Sequence, residues 1–143
     1  MRTILIPIDG SLCALRAVEL VVARRQRYSR PDDLAIHLVN IQPSLPHDVT
    51  RFASHQQVAD FHLSESDRQT ATARQTLDQA GVPYTYHHGV GDIAEEITAL
   101  AERLGCDQIV MGSHGHSALA ELLLGSITTK VIHLAKIPIL IVK

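Results

Sequence analysis

DQIVMGSHGHSALAELLLGS, residues 107 to 126, decides how this chain folds. It opens with an apolar strand, Asp107 to Met111, breaks at Gly112 and Gly115, and ends on Gly125 and Ser126. The glycines have the spacing G-x2-G-x9-G, and a serine follows the last one. Glycine lets a backbone approach a phosphate closely and reach positive φ without steric cost, and a Gly-Ser pair opening a helix leaves N–H groups facing an anion. A nucleotide's phosphates are expected here. Leu119, Leu122 and Leu123 read as a short helical stretch inside the loop.

Outward from this stretch, strand and helix patterns alternate in both directions. Thr3 to Ile8 is a β-rich run stopped by Asp9-Gly10-Ser11, a triplet that also reads as a plain turn and helix cap. Helical spacing follows through Leu15, Val18, Val21 and Val22, closed by the polar segment Arg24 to Asp33. Leu34 to Ile41 forms a second strand. From Gln42 to about Phe61, Pro43, Pro46 and scattered histidines predict an irregular connection. Leu63 to Ala80 turns helical, with Ala73, Leu77 and Ala80 on one face and Gly81 as the stop, and Val82 to His88 alternates as a third strand. Asp92 to Leu104 is a helix with Ile93, Ile97, Leu100, Ala101 and Leu104 on one face and a capping box from Asp92 and Glu95. Beyond the glycine loop, a last helix runs from Ser126 to about Ala135 and a fifth strand from Pro138 to Val142.

Five strands separated by helices require a parallel sheet, because parallel neighbours can be joined only by crossovers and those are right-handed. The expected class is α/β: a five-stranded parallel doubly wound sheet, Rossmann-like, order 3-2-1-4-5, with helices on both faces. Ligands in such sheets sit at the carboxyl ends of the strands, where successive connections change direction. Asp9 and Gly112 then flank the crevice.

Size and composition set the bounds. A chain of 143 residues is expected to be a single domain, 1–143, with one core. Hydrophobic residues at 45% and charged residues at 20% fit an ordinary globular protein, and no apolar run is long enough to span a bilayer. The first eleven residues lack a long apolar region and a small-residue cleavage site, so no secretory signal is read and a cytoplasmic location is expected. Two thiols outside any C-x-x-C pair fit a reducing compartment. A net charge of -2 with three lysines disfavours nucleic acid as a partner.

These motifs together resemble the universal stress protein family, in its nucleotide-binding branch. The resemblance spans nearly the whole chain. It is carried by Pro7-Ile8-Asp9-Gly10-Ser11, His37-Leu38-Val39, Gly91-Asp92-Ile93-Ala94-Glu95-Glu96-Ile97, Met111-Gly112-Ser113-His114-Gly115, Gly125-Ser126 and Pro138 to Val142. It implies an adenine-nucleotide ligand, usually ATP and optionally with Mg2+, and a homodimer. It also implies that Asp9 and Val39 lie against the adenine and that Pro7 shapes that wall. Gly112, Gly115, Gly125 and Ser126 would hold ribose and phosphates, Ile127 and Thr128 would add N–H or hydroxyl contacts, and Met111 and His114 would complete the set.

The remaining candidates read more plainly. His114 and His116 flank Gly115 and are read either as solvated loop residues or as contacts to phosphate or a cation. His47, His55 and His62 lack the short ligand pairs of a zinc site, and so do His87 and His88; no metal site is expected. His37 and His133 read as partly buried structural residues, and Cys13 and Cys106 as small core residues. The lysine-bearing form G-x4-G-K-[ST] is absent, the nearest lysine after Gly125 being Lys130, and nothing obvious activates a water. Any hydrolysis should be slow. The expected function is a nucleotide-dependent switch in a stress response. A slow ATP hydrolase or nucleotidyl-transfer enzyme, and a scaffold docking a partner through residues 42 to 61, remain alternatives. Pro138 to Val142, apolar on both faces at a sheet edge, is expected to pair with its copy across a twofold axis.

Overall fold

The structure is a computed structural model that describes residues 2–116 and 124–143. β1 (Arg2–Pro7) lies at the centre of a five-stranded sheet with β2 (Leu34–Gln42) on one side and β4 (Gln108–Gly112) on the other. β3 (Thr85–Val90) and β5 (Ile139–Val142) form the edges, and every pairing is parallel. The order β3-β2-β1-β4-β5 is the one expected from the sequence.

Period-two alternation along β1 sorts its side chains between two cores. Ile4, Ile6 and Ile8 pack with Ala14, Ala17, Val18 and Val21 of α1 (Leu12–Arg25) and with Ala73 and Leu77 of α3 (His55–Gln79). Leu5 packs on the opposite face with Ala94, Ile97 and Leu100 of α4 (Ile93–Arg103) and Val131 of α5 (Ser126–Leu134). Helices therefore cover both faces, and the central strand has no polar side to spare. Among the described residues no helix is long and apolar enough to cross a membrane.

The segment from Gln42 to Phe61 is not irregular as expected. It contains α2 (His47–Thr50), and α3 begins at His55, eight residues before the expected start at Leu63. Ser54 caps α3 by accepting from Gln57 N, and the Gln57 side chain accepts in turn from Ser54 N, a closed capping box. Apolar periodicity missed this because the buried stripe of α3 is spelled His62, Ser66, Thr70, Ala73 and Leu77. Its first three members are polar. Thr70 Oγ1 donates to Ser66 O and Ser66 Oγ is hydrogen-bonded to Tyr86 of β3, so these two are satisfied inside the fold, whereas His62 Nδ1 is buried without a hydrogen-bond partner among the described residues.

The third strand also starts later than expected, at Thr85 rather than Val82. Val82 instead completes the end of α3: its N–H donates to Leu77 O while Gly81, at φ 64°, donates to Asp78 O. Gly105 and Cys106 close α4 in the same way, and the left-handed φ at both turns is what calls for glycine. The capping box expected from Asp92 and Glu95 is one-sided. Asp92 Oδ1 accepts from Glu95 N, but Glu95 Oε1 lies 3.8 Å from Lys130 Nζ instead of returning to the cap. The helical stretch expected at Leu119, Leu122 and Leu123 lies outside the described residues.

Candidate nucleotide site

Connections leaving β1 and β4 diverge, α1 onto one face and α5 onto the other, and a cleft of about 310 Å3 opens at the carboxyl ends of β1, β2 and β4. Pro7, Asp9 and Val39 border it on one side, and Met111, Gly112, His114 and Gly115 on the other. Gly125, Ser126, Ile127 and Thr128 close one end. Residues that are distant in sequence thus meet around one space, at the switch point where α/β sheets hold ligands. Gly125 N donates to Ser113 O at 2.7 Å, a contact that draws both ends of the glycine loop together.

At this end of the cleft, α5 begins without a side-chain cap. Gly125 stands at the N-cap, and the first intrahelical bond is Thr129 N to Gly125 O, so the N–H groups of Ser126, Ile127 and Thr128 have no partner within the helix. Three donors at the positive end of a helix macrodipole make an anion-binding surface. The Thr128 hydroxyl is not part of it. Its Oγ1 donates to Gly112 O at 3.0 Å and the residue is buried, so Thr128 offers only its N–H.

The three motif glycines serve closer purposes than the sequence suggested. None of them has a positive φ. A Cβ on Gly112 would lie 2.7 Å from Cys13 Cβ and 2.9 Å from Ala14 N, so this glycine lets α1 pack directly on β4. A Cβ on Gly115 would meet Asp9 Oδ2 at 2.6 Å, and one on Gly125 would press on His114 Cα at 3.2 Å. The missing side chains make room for the protein itself, which brings the loop, α1 and α5 close enough to shape the cleft.

Asp9 and Ser11 form the expected turn and helix cap, and both also border the cleft. Ser11 Oγ caps α1 by accepting from Ala14 N, Asp9 Oδ1 accepts from Ser11 N, and His116 Nε2 is hydrogen-bonded to Asp9 O. Asp9 still borders the cleft, and it is the one carboxylate among the described lining residues. None of those residues is a lysine or arginine. Lys130 turns away to Asp92 at the start of α4, with Nζ 2.7 Å from Oδ2, and that ammonium holds the Asp92 carboxyl below its ordinary range.

Sequence reasoning missed the polar cluster at the other end of the cleft. Asn40 and Gln42, two apart on β2 and both buried, meet Gln69 from α3. Gln42 and Gln69 line the cleft beside Pro43 and Ile41. Two amides at alternate positions near the carboxyl end of β2 were the available signal. Gln69, on a helix whose start was misplaced, gave none.

Cys13 proves to be more than a small core residue. Ser113 Oγ lies 2.7 Å from His114 Nδ1, and both groups approach Cys13 Sγ at 3.9 Å. The contact with His114 lowers the thiol's pKa despite partial burial, whereas burial raises that of Cys106. His37 and His87, away from the cleft, share a hydrogen bond of 2.9 Å between ring nitrogens. Burial lowers the pKa of both, and for His87 the charges of His37 and Arg103 act in the same direction.

Comparison with known proteins supplies the family. The model of the universal stress protein family matches residues 1–143. Universal stress protein G of Escherichia coli O157:H7 is 31% identical over 99% of both chains. The solved structure of protein MJ0577 of Methanocaldococcus jannaschii superposes with a TM-score of 0.81 at 30% identity, covering 99% of this chain and 95% of that one. A universal stress protein solved in complex with cAMP superposes at 0.69 with 23% identity, covering 99% of this chain and 97% of that one. A family match over every residue, on the sheet order expected from the alternating strands and helices, leads to one conclusion: the chain belongs to the universal stress protein family.

Proposed function

We propose that this protein binds an adenine nucleotide, ATP in the first instance, in the cleft between β1 and β4 and acts as a nucleotide-dependent module of a stress response. The observation that carries the reading is the uncapped start of α5, whose three N–H donors close one end of a cleft with apolar walls. Val39, Ile41, Ile97 and Met111 supply surfaces against which a flat base packs. Asp9 then faces the base, where a carboxylate accepts from an exocyclic amine. The cAMP complex of a fold neighbour supports the same ligand class.

The same site favours holding a nucleotide over consuming it. Phosphoryl transfer relies on cations that neutralise developing charge and on a group that positions the nucleophile. No lysine or arginine lines the described cleft, and the Lys130 ammonium is engaged by Asp92 and Glu95. Calorimetry with ATP, ADP and AMP tests the binding claim: affinity for at least one is expected, and none for all three defeats it. Turnover with and without Mg2+ should match buffer, and a clear Mg2+-dependent rate would favour the enzyme reading.

The assembly we propose is a homodimer through β5, in a soluble cytoplasmic protein. The carbonyls of Pro138 and Val142 accept from Ile109 of β4 and from Ser113 just beyond it, so by the alternation of a parallel ladder the N–H groups of Ile139 and Ile141 face the open edge. Leu140 packs into the α1 side of the core and is a poor probe of that edge. Ile141→Pro removes an outward donor while leaving the β4 ladder intact. Sedimentation should show the mass halved; an unchanged dimer would exclude this edge.

A further inference from the structure

We infer that Gln42 and Gln69 form a fixed acceptor and donor pair that reads the 6-amino and N1 edge of the base. This rests on the adenine-nucleotide reading above and deepens it. The orientation of the amides is set by a chain of hydrogen bonds that begins at a backbone carbonyl. Asn40 Nδ2 donates to Ile8 O at 2.7 Å, and a flipped Asn40 would place two acceptors together there. Its second N–H donates to Gln69 Oε1 at 2.8 Å, and its Oδ1 accepts from Gln42 Nε2 at 2.8 Å. The other Gln42 N–H reaches Gln69 Oε1 at 3.1 Å.

Every N–H of Asn40 and Gln42 is therefore used, and Gln69 Oε1 accepts twice. What remains without a hydrogen bond among the described residues is one acceptor, Gln42 Oε1, and one donor group, Gln69 Nε2. Both residues line the cleft. Asn40 is 1% exposed and Gln42 6%, so the two amides are held by the core and neither can rotate without breaking the network. Adenine presents a donor at its 6-amino group and an acceptor at N1. Hypoxanthine presents the reverse, an acceptor at O6 and a donor at N1. A fixed acceptor and donor pair matches the first edge and opposes the second, and a mismatched buried polar pair is the strongest source of discrimination that a pocket has.

Gln69→Glu tests this with little other disturbance. The carboxylate keeps an oxygen to accept from Asn40 and Gln42, and turns only the outward donor into an acceptor. The measurement is the ratio of ATP to ITP affinity by calorimetry, in which the charge added by the substitution cancels because both ligands carry the same phosphates. The wild type should prefer ATP, and the variant's ratio should fall by about tenfold or more. Gln69→Met, which removes the donor without adding charge, should lower the ratio in the same direction. Melting temperature checks that each variant is folded. A ratio unchanged in both folded variants overturns the inference, as does a change confined to discrimination against 2′-deoxy-ATP, which would place the amides against the sugar. If the wild type binds neither ATP nor ITP, the adenine-nucleotide reading fails with it; if it binds ATP and only the ratio stays fixed, this inference fails alone.

Discussion

Helix α4 and helix α5 start side by side, and they start differently. Asp92 closes α4 by accepting from Glu95 N, and Lys130 of α5 reaches across to that same carboxylate. α1 and α3 are likewise closed by Ser11 and Ser54. α5 has Gly125 and no side-chain cap, although a serine, a threonine or an aspartate there would satisfy at least one of its donors. The contrast teaches where the molecule forgoes local stability. Of the four described helices longer than one turn, three are closed by a side-chain cap, and α5 leaves its first amides open onto the cleft; the single turn of α2 is also uncapped but lies outside that lining.

Two substitutions exchange the two ends. Gly125→Asp gives α5 the kind of cap α4 has and puts a carboxylate where phosphate is proposed to sit. ATP affinity should fall by about a hundredfold or more, equivalent to about 2.7 kcal/mol. Unfolding stability should move far less, because Gly at an N-cap is only a few tenths of a kcal/mol worse than the best residues. Its backbone, at φ -71°, accepts any side chain, although His114 must give slightly. An affinity that survives this change would separate the phosphate site from α5.

Gly112→Ala sharpens the comparison from inside the loop. The added methyl group has nowhere to go but into Cys13 and Ala14, so the variant should lose about 1 to 3 kcal/mol of stability in denaturant unfolding. If the glycine served only to admit a phosphate, stability would hold and affinity alone would drop. Asp92→Ala has the smallest expected effect. Losing the cap of α4 should cost about 1 kcal/mol and leave ATP affinity within about twofold, since that helix start is finished by protein and not by ligand. A large loss of affinity would mean that the capped helix also serves the cleft.

The alternation of strands, the sheet order and the crevice between β1 and β4 were all legible in the chain, because apolar runs, glycine stops and a switch in connection direction leave little freedom to a parallel sheet. The start of α3 was not. Its buried stripe uses His62, Ser66 and Thr70, and the partner of Ser66, Tyr86 on β3, is in place only once the fold has formed. The spaced glycines all border the cleft, and a side chain at each would meet the protein itself, which the spacing does not reveal. Whether a bare Cα faces ligand, as the spacing suggested, or the backbone of α1, as at Gly112, depends on a neighbour a hundred residues away. For the same reason Gln69 could not be seen as part of a site, since its significance comes from Asn40 and Gln42 on another element.

The most direct measurement of the central claim is an ATP titration of 15N-labelled protein followed through its backbone amides. The open start of α5 predicts the largest shifts at Ser126, Ile127 and Thr128, with Ala94 and Glu95 at the start of α4 nearly unmoved. ATP bound with α5 amides undisturbed, or with α4 responding as strongly, would contradict it.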